Sequence, residues 1–523
     1  MNALLLTAFT PVAAQDPKPA QDTIVVRGEA LRGRTLTDVE PELVLSEEDI
    51  AAYGASSLGE LLSLLEAEYA SSRGRSQQPP VVLLNGRRIS GFREIGRYPA
   101  EAVERVEIFP EEVSLRYGFS ADQRVINFIL KANTKITAVQ GSSGAPEEGG
   151  ATFLEASLQH LVVDGDKRRS SDADYRRDPA IREEERSTGA EDARFRTLTS
   201  ERDAWNTGFS YARPLTKGII TTLTGTYGEA LSQALLGEQT VTEAGGPQRQ
   251  VSFDNEAYLG FAITSPLAAT TWNVTSNVTR QENAIRTDPS EIDSPSLDGF
   301  VRDSTISTVA VVDAILNDRS LRIGGEKATL AMKLGATWEQ LESEETGGVG
   351  RAPSFEIDRS TLTTSVSTDW PITFIPSLPG RFSVNGNVLW EELSDQGGFL
   401  TAGGGFTWLL AERVQVIGSF TAEEGAAGLA DIQAPSVETP GQRVFDPQLG
   451  TDVITTVIAG GNAALTSDRR RVQKVGLQIK PWLDKQNRFN VDYTQSVIDD
   501  EVRSFGVLTE EFERAFPGRV QRD

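Results

Sequence analysis

Beyond about Gly150 the chain repeats with a period of two. Leu330, Met332, Leu334, Ala336 and Trp338 alternate with Ala331, Lys333, Gly335 and Thr337. Phe382, Val384, Val388 and Trp390 alternate with Ser383, Asn385 and Asn387, and the same holds around Val475–Ile479 and Phe489–Tyr493. Successive side chains of a strand point to opposite faces, so this pattern predicts strands with one apolar and one polar face. Strands are expected near 152–163, 203–213, 217–227, 255–265, 270–282, 304–315, 326–338, 359–371, 381–391, 399–410, 413–421, 468–481 and 487–497, about 13 in all.

A soluble sandwich shares that alternation, so the connections matter more. Short links near 213–217, 265–270, 411–413 and 483–487 alternate with long polar links near 164–202, 228–254, 283–303, 340–358 and 422–467. A transmembrane antiparallel β-barrel sorts its connections this way, with tight turns at one rim and long loops at the other. Strand cores near ten residues suit a tilted crossing of the bilayer. Trp205, Trp338, Trp370, Trp390, Trp408 and Trp482 lie near strand ends, where an interfacial girdle forms.

Residues 40–133 read differently. Ser46-Glu-Glu-Asp49 and Ser57-Leu-Gly-Glu60 are capping patterns, and Leu58, Leu61, Leu62 and Leu65 recur on one helical face. Val81–Leu84, Val103–Phe109 and Val125–Lys131 are strand candidates, and Asn85-Gly86 is a hairpin turn. Some 90 residues of this kind bury a small core, which predicts a separate α/β domain. Ahead of it, Asp22–Gly28 (DTIVVRG) is a short β-prone run in polar flanks, able to add to a partner's sheet edge or to open the next domain.

These pieces resemble the plug domain of TonB-dependent outer-membrane receptors. DTIVV (22–26) is similar to the family's TonB box. VVLLNGRRI (81–89) resembles its strand–turn hairpin, and VERVEIFPEEVSLRYG (103–118) followed by VINFILK (125–131) resembles its "ER-IEV … YG … G-VINI-TK" signature. Two positions depart from the pattern. Pro110-Glu111 stands where the family has "GP", and Gln123-Arg124 stands in place of a glycine pair, which marks a divergent subfamily.

The resemblance implies a mainly β chain, a transmembrane barrel with a small α/β plug in its lumen. The expected layout is a signal peptide (1–14), a periplasmic linker with the TonB box (15–39), a plug (40–133), a linker (134–150) and the N-terminal part of the barrel (151–523). The family's barrels close with 22 strands, so about 13 of 22 implies a fragment that ends in a polar stretch, Gly518–Asp523. It also implies a TonB-type energy-coupling protein of the inner membrane as partner through Asp22, Thr23, Ile24, Val25 and Val26. Lipid around the barrel, an unidentified ligand and a monomeric full-length protein are implied as well.

Composition narrows the chemistry. With 51 Lys+Arg against 75 Asp+Glu the net charge is −24, which argues against nucleic acid. There is no Cys and one His, so disulfides, thiolate metal sites and His-rich zinc centres are excluded. Neither a cofactor nor a metal is expected, and no enzymatic activity. Asp172 and Asp174 form a D-x-D pair of the sort that ligates Ca²⁺, a weak signal alone. The apolar start Ala3–Phe9 followed by Val12-Ala13-Ala14 reads as a signal peptide without a charged n-region.

The plug is locally basic. Arg73, Arg75, Arg93 and Arg97 are candidates for contact with an anionic ligand, and the competing reading is pairing with acidic side chains of the lumen. Gly460-Gly-Asn462 resembles a "GGNP-L" loop motif that also occurs in haem receptors. No His lies beside it to ligate haem, so a turn leading into strand 468–481 is the better reading. His160 is read as an ordinary strand side chain. Energised uptake is the leading function. A soluble exported β-protein, such as a glycan-acting enzyme or a binding protein, is the alternative, and a signalling receptor with an extra N-terminal domain finds no room before residue 22.

Overall fold

A computed structural model describes residues 39–70, 79–119, 123–147, 149–186, 193–216, 218–239, 246–266, 268–288, 301–323, 325–346, 354–372, 379–410, 413–481, 489–502 and 508–522, with positions 33, 35 and 37. Trp482, Arg73, Arg75 and Asp22–Val26 lie outside the described residues.

The plug forms as its caps and periodicities predict. Strand β1 (Leu43–Ser46) runs into helix α1 (Glu47–Ala52), where Ser46 and Asp49 close a reciprocal capping box. Helix α2 (Leu58–Leu64) is capped by Ser57 and buries Leu58 and Leu61. Strands β2 (Val81–Leu84), β3 (Arg87–Arg88), β4 (Val103–Phe109) and β5 (Val125–Leu130) complete a five-stranded sheet in the order β1-β4-β5-β2-β3. Strand β5 lies at its centre and every residue is buried. Asn85 (φ 50°) and Gly86 (φ 76°) make the turn between β2 and β3, a left-handed pair that Asn-Gly adopts at little cost.

Fifteen strands build the wall as an antiparallel meander. They are β6 (Asn133–Gly144), β7 (Phe153–Asp164), β8 (Lys167–Asp178), β9 (Glu201–Thr216), β10 (Ile219–Gln239), β11 (Gly246–Thr264), β12 (Thr270–Thr287), β13 (Val301–Asp318), β14 (Thr329–Thr346), β15 (Phe355–Ile372), β16 (Arg381–Leu393), β17 (Gly397–Leu410), β18 (Val414–Gly425), β19 (Asp468–Ile479) and β20 (Phe489–Asp499). Each pairs with the next, and among the described residues β6 and β20 are the terminal strands of the sheet. Between β18 and β19 lie a short helix (Leu429–Gln433) and a separate hairpin, Val437–Asp446 with Thr451–Ala459.

Three sequence expectations are corrected. The wall has 15 strands where 13 are expected. Strand β6 occupies most of the expected linker 134–150, and β8 runs through the expected loop 164–202. Hydrophobic periodicity is silent in both. Strand β8 (KRRSSDADYRRD) has only Ala173 and Tyr175 as apolar residues, and backbone pairing with β7 on one side and β9 on the other holds it in place. Several strands also outrun their apolar cores. Strand β10 has 21 residues, because pairing continues after lipid contact ends.

The register sorts the wall's faces. On β11, Tyr258 and Ala262 point inward and are buried, so Leu259 and Phe261 point outward, 55% and 41% exposed. Their cross-strand partners Leu223 and Val278 share that face, as do Val312, Met332, Leu334, Leu362, Val366 and Val388 further round. The outward face is thus an apolar belt. Trp338 stands opposite Ser360, and Trp370 lies about ten residues further along β15, again facing outward. Ten residues at about 3.3 Å, tilted near 40°, span roughly 25 Å, the height of a bilayer's apolar band between its aromatic girdles. No described helix is long and apolar enough to cross a membrane.

Candidate functional site between plug and wall

The polar inner face of the wall meets the plug through paired charges. Arg168 of β8 donates to Glu94 at 2.9 Å, and both side chains are almost fully buried. The backbone N–H and hydroxyl of Ser90 also donate to Glu94, at 3.1 and 3.2 Å. Burial pushes the Glu94 carboxyl above its ordinary value, against the pull of Arg168 and Ser90. Further round, Arg88 meets Asp313 at 3.1 Å, and Lys333 meets the other oxygen of Asp313 at 3.2 Å. Arg116 pairs with Asp369, and Lys474 of β19 reaches Glu111 at 3.1 Å. Neutral bonds fill the gaps: Tyr98 donates to Ser210 and Asn277 donates to the Ser90 carbonyl.

Asp313, Asp369 and Lys474 all lie toward the short-turn ends of their strands, near Asp318, Ile372 and Ile479. The plug therefore sits low in the curve of the wall. Above its Phe119 opens a cavity of about 350 Å³, lined by Lys333, Thr363, Asn387, Glu391, Glu423 and Arg470. Lys333 and Arg88 flank the Phe119 ring, 5.7 and 4.6 Å from its centroid. Polar groups of both signs converge there, which suits a polar guest more than a hydrocarbon one.

Two of the four basic candidates fall in described residues. Arg93 pairs with Glu256 and lies over the Tyr258 ring, 5.3 Å from its centroid. Arg97 pairs with Asp174 and stands 3.3 Å from Asp172. Both arginines remain about a third or more exposed while paired. The D-x-D pair of β8 thus faces an arginine, and among the described residues no group of three or more His, Asp and Glu side chains is arranged to hold a metal. His160 faces outward, its Nδ1 2.8 Å from the Thr137 hydroxyl. Asn462 closes a turn against the helix Leu429–Gln433, and Gly461 is needed because a Cβ there would meet the Ile432 backbone at 2.7 Å.

Glu94, Glu111, Asn127 and Lys474 are residues that sequence reasoning missed. Asn127 is fully buried in β5, where its amide accepts from Gly86 N–H at 2.8 Å and donates to Glu107 and the Gly33 carbonyl. The two departures from the plug signature meet in space. Arg124 stands 3.7 Å from Glu111 and 3.4 Å from Glu42, so a glycine-free version of this corner carries its own ion pairs.

The wall and plug together are similar to solved receptors. The ferric enterobactin receptor PfeA of Pseudomonas aeruginosa superposes with a TM-score of 0.57 at 12% identity, covering 87% of this chain and 71% of that one. The siderophore receptor PirA of Acinetobacter baumannii gives 0.54 at 12%, covering 88% and 70%. The chain has the fold of a TonB-dependent outer-membrane receptor. The RagAB peptide importer shares it, with a TM-score of 0.52 at 10% identity, 89% of this chain and 68% of that one. With this fold and with outward leucines around its wall, the chain is placed in the outer membrane. Among curated proteins, the vitamin B12 transporter BtuB of Vibrio cholerae is 30% identical over 184 residues, which is 32% of this chain and 29% of that protein. The chain thus matches less than a third of the length of such curated relatives. No protein-family model matches it.

Proposed function

We propose that the chain supplies the plug and adjoining barrel wall of a receptor for energised uptake across the outer membrane. The observation that carries this reading is the plug itself, an α/β unit whose core leans on Leu161 and Val163 of the wall and which several reversible charge pairs hold elsewhere inside a lipid-facing wall. Such a unit closes the lumen at rest and shifts when pulled. Asp22–Val26 is the segment proposed to engage a TonB-type coupling protein in the periplasm, about 15 residues ahead of the described plug. No bond of the ligand is made or broken; the work is a change in plug order.

The similar proteins are receptors, transporters or importers for ferric enterobactin, siderophores, vitamin B12 and peptides, so we leave the ligand class of this chain at a bulky polar solute. We propose that it descends onto the plug from the long-loop side, toward the cavity above Phe119. Arg73 and Arg75 remain the proposed ligand contacts, while Arg93 and Arg97 serve mainly to pin the plug to Glu256, Asp172 and Asp174. We also propose that further strands complete the barrel, since a spanning sheet in lipid needs all its edges paired. Deleting Asp22–Val26 from the complete gene is expected to abolish energised uptake and leave ligand binding intact. Undiminished uptake would overturn the proposal.

A further inference from the structure

The apolar belt has one break. At the short-turn end of the wall, outward positions on most strands carry apolar or hydroxyl side chains. They are Thr221 and Leu223 on β10, Phe261 and Ile263 on β11, Trp272 and Val274 on β12, and Ala314 and Leu316 on β13. The series continues with Met332 and Leu334 on β14, Phe406 and Trp408 on β17, and Val491 on β20. Strands β6, β8 and β9 differ. Ile136 packs on the plug core and Arg168 holds Glu94, so Lys135 and Arg169 face outward. Ala212 is buried against the plug side, so Arg213 faces outward as well.

Register brings these cations together. Lys135 stands opposite Val162, Val162 opposite Arg169, and Arg169 opposite Tyr211, two residues from Arg213. Two strand spacings separate Lys135 from Arg169, roughly 10 Å, and Arg213 lies on the diagonal from Arg169. All three are exposed, and no carboxylate pairs with any of them among the described residues. Lys167 beside them is paired with Asp164 at 3.6 Å. Tyr211 and Phe209, 50% and 47% exposed on the same face, continue toward the centre of the belt.

Unpaired cations facing hydrocarbon are costly near mid-bilayer and nearly free at the interface, where long side chains reach the headgroups. Here they sit beside the short turns, at the periplasmic leaflet. We propose that Lys135, Arg169 and Arg213 form a binding site for the phosphate of an anionic glycerophospholipid, whose acyl chain lies along Tyr211, Phe209 and Leu158. The site rests on the outer-membrane reading of the wall. Lysine and arginine near a leaflet each add appreciable affinity for anionic headgroups, and three converging on one phosphate favour a retained lipid over a passing one.

The test is native mass spectrometry of the whole chain in detergent, titrated with phosphatidylglycerol, phosphatidylcholine or inorganic phosphate. The expected result is a preference for phosphatidylglycerol over phosphatidylcholine of about tenfold or more. Combined K135Q, R169Q and R213Q should reduce it to about twofold, while R280Q, outward on β12, should leave it unchanged. Equal retention of both lipids, a triple variant that keeps the preference, or inorganic phosphate bound as tightly as phosphatidylglycerol would each overturn the site. Outward labels on Met332 and Leu334 that report lipid contact keep the membrane reading standing if the site alone fails. Water contact there would sink both. Unchanged far-ultraviolet circular dichroism shows that the variants fold.

Discussion

Replacing Arg168 by methionine tests how the plug is held. The substitution keeps an unbranched apolar stem and removes the cation that neutralises Glu94, whose side chain is 1% exposed. Two unit charges about 4 Å apart interact by about 4 kcal/mol at an effective dielectric near 20, and breaking a buried pair from one side costs about 3–5 kcal/mol. A buried acid without its partner takes up a proton in place of staying charged, which caps the penalty. Burial already raises the Glu94 carboxyl, and R168M removes the group that opposes that rise. The folded state then holds its proton to a higher pH than the unfolded chain does. Between those two values stability falls as pH rises, so the defect of R168M should be smallest in mild acid and deepen toward neutral and alkaline pH.

The assay is hydrogen exchange of β4 and β5 amides in detergent, which reads the free energy of plug opening. The double variant E94Q/R168M should recover about half or more of the loss, because it leaves no orphan charge. Strictly additive losses, or an R168M plug as protected as the parent at all pH values, would refute the reasoning.

Other consequences are similarly concrete. Gly118 caps the 3-10 turn after Glu111 with φ 75°, and a Cβ there would run into the Ile315 side chain of the wall, so G118A should loosen the plug by about 1–3 kcal/mol in the same exchange assay. Leu334 faces lipid and Thr337 faces the lumen, so L334R should lower the folded yield in bilayers by about 2–4 kcal/mol while T337R costs far less, read by urea titration of liposome-inserted protein. Arg522 grips Asp446 at 2.8 and 3.0 Å and holds its carboxyl down at about 2. That contact is present above the ordinary carboxylate range and is lost as pH falls toward 2, so exchange of the segment around Glu510–Ala515 should rise over that window, and R522Q should abolish the pH dependence.

How much was legible in the sequence follows from where apolar residues sit. The plug announced itself because its caps, its leucine face and its Asn-Gly turn are local devices, each adequate on a few residues. Strands β10 to β20 announced themselves because lipid selects one face. Strands β6 and β8 did not, since Lys135, Thr137, Arg169 and Ser171 occupy the outward positions that leucine or valine fills elsewhere. The plug-holding residues were hidden for a different reason. Glu94 and Glu111 carry no local signal of burial, and only the fold that brings Arg168 and Lys474 opposite them makes them interior. Arg93 and Arg97 were visible as a basic cluster, but their wall partners lie far away in sequence, on β8 and β11.

The most direct test of the central claim uses the chain's lack of cysteine, which makes single-cysteine labels unambiguous. Nitroxide labels placed one at a time from Ala331 to Ala336 in the bilayer-reconstituted protein report collision with oxygen, enriched in lipid, or with a water-soluble nickel chelate. The wall described here predicts alternation with a period of two. Labels at Met332, Leu334 and Ala336 should favour oxygen, and labels at Ala331, Lys333 and Gly335 should be shielded from it by the plug and lumen. Equal access of the nickel chelate to both faces would contradict a plugged, lipid-facing wall.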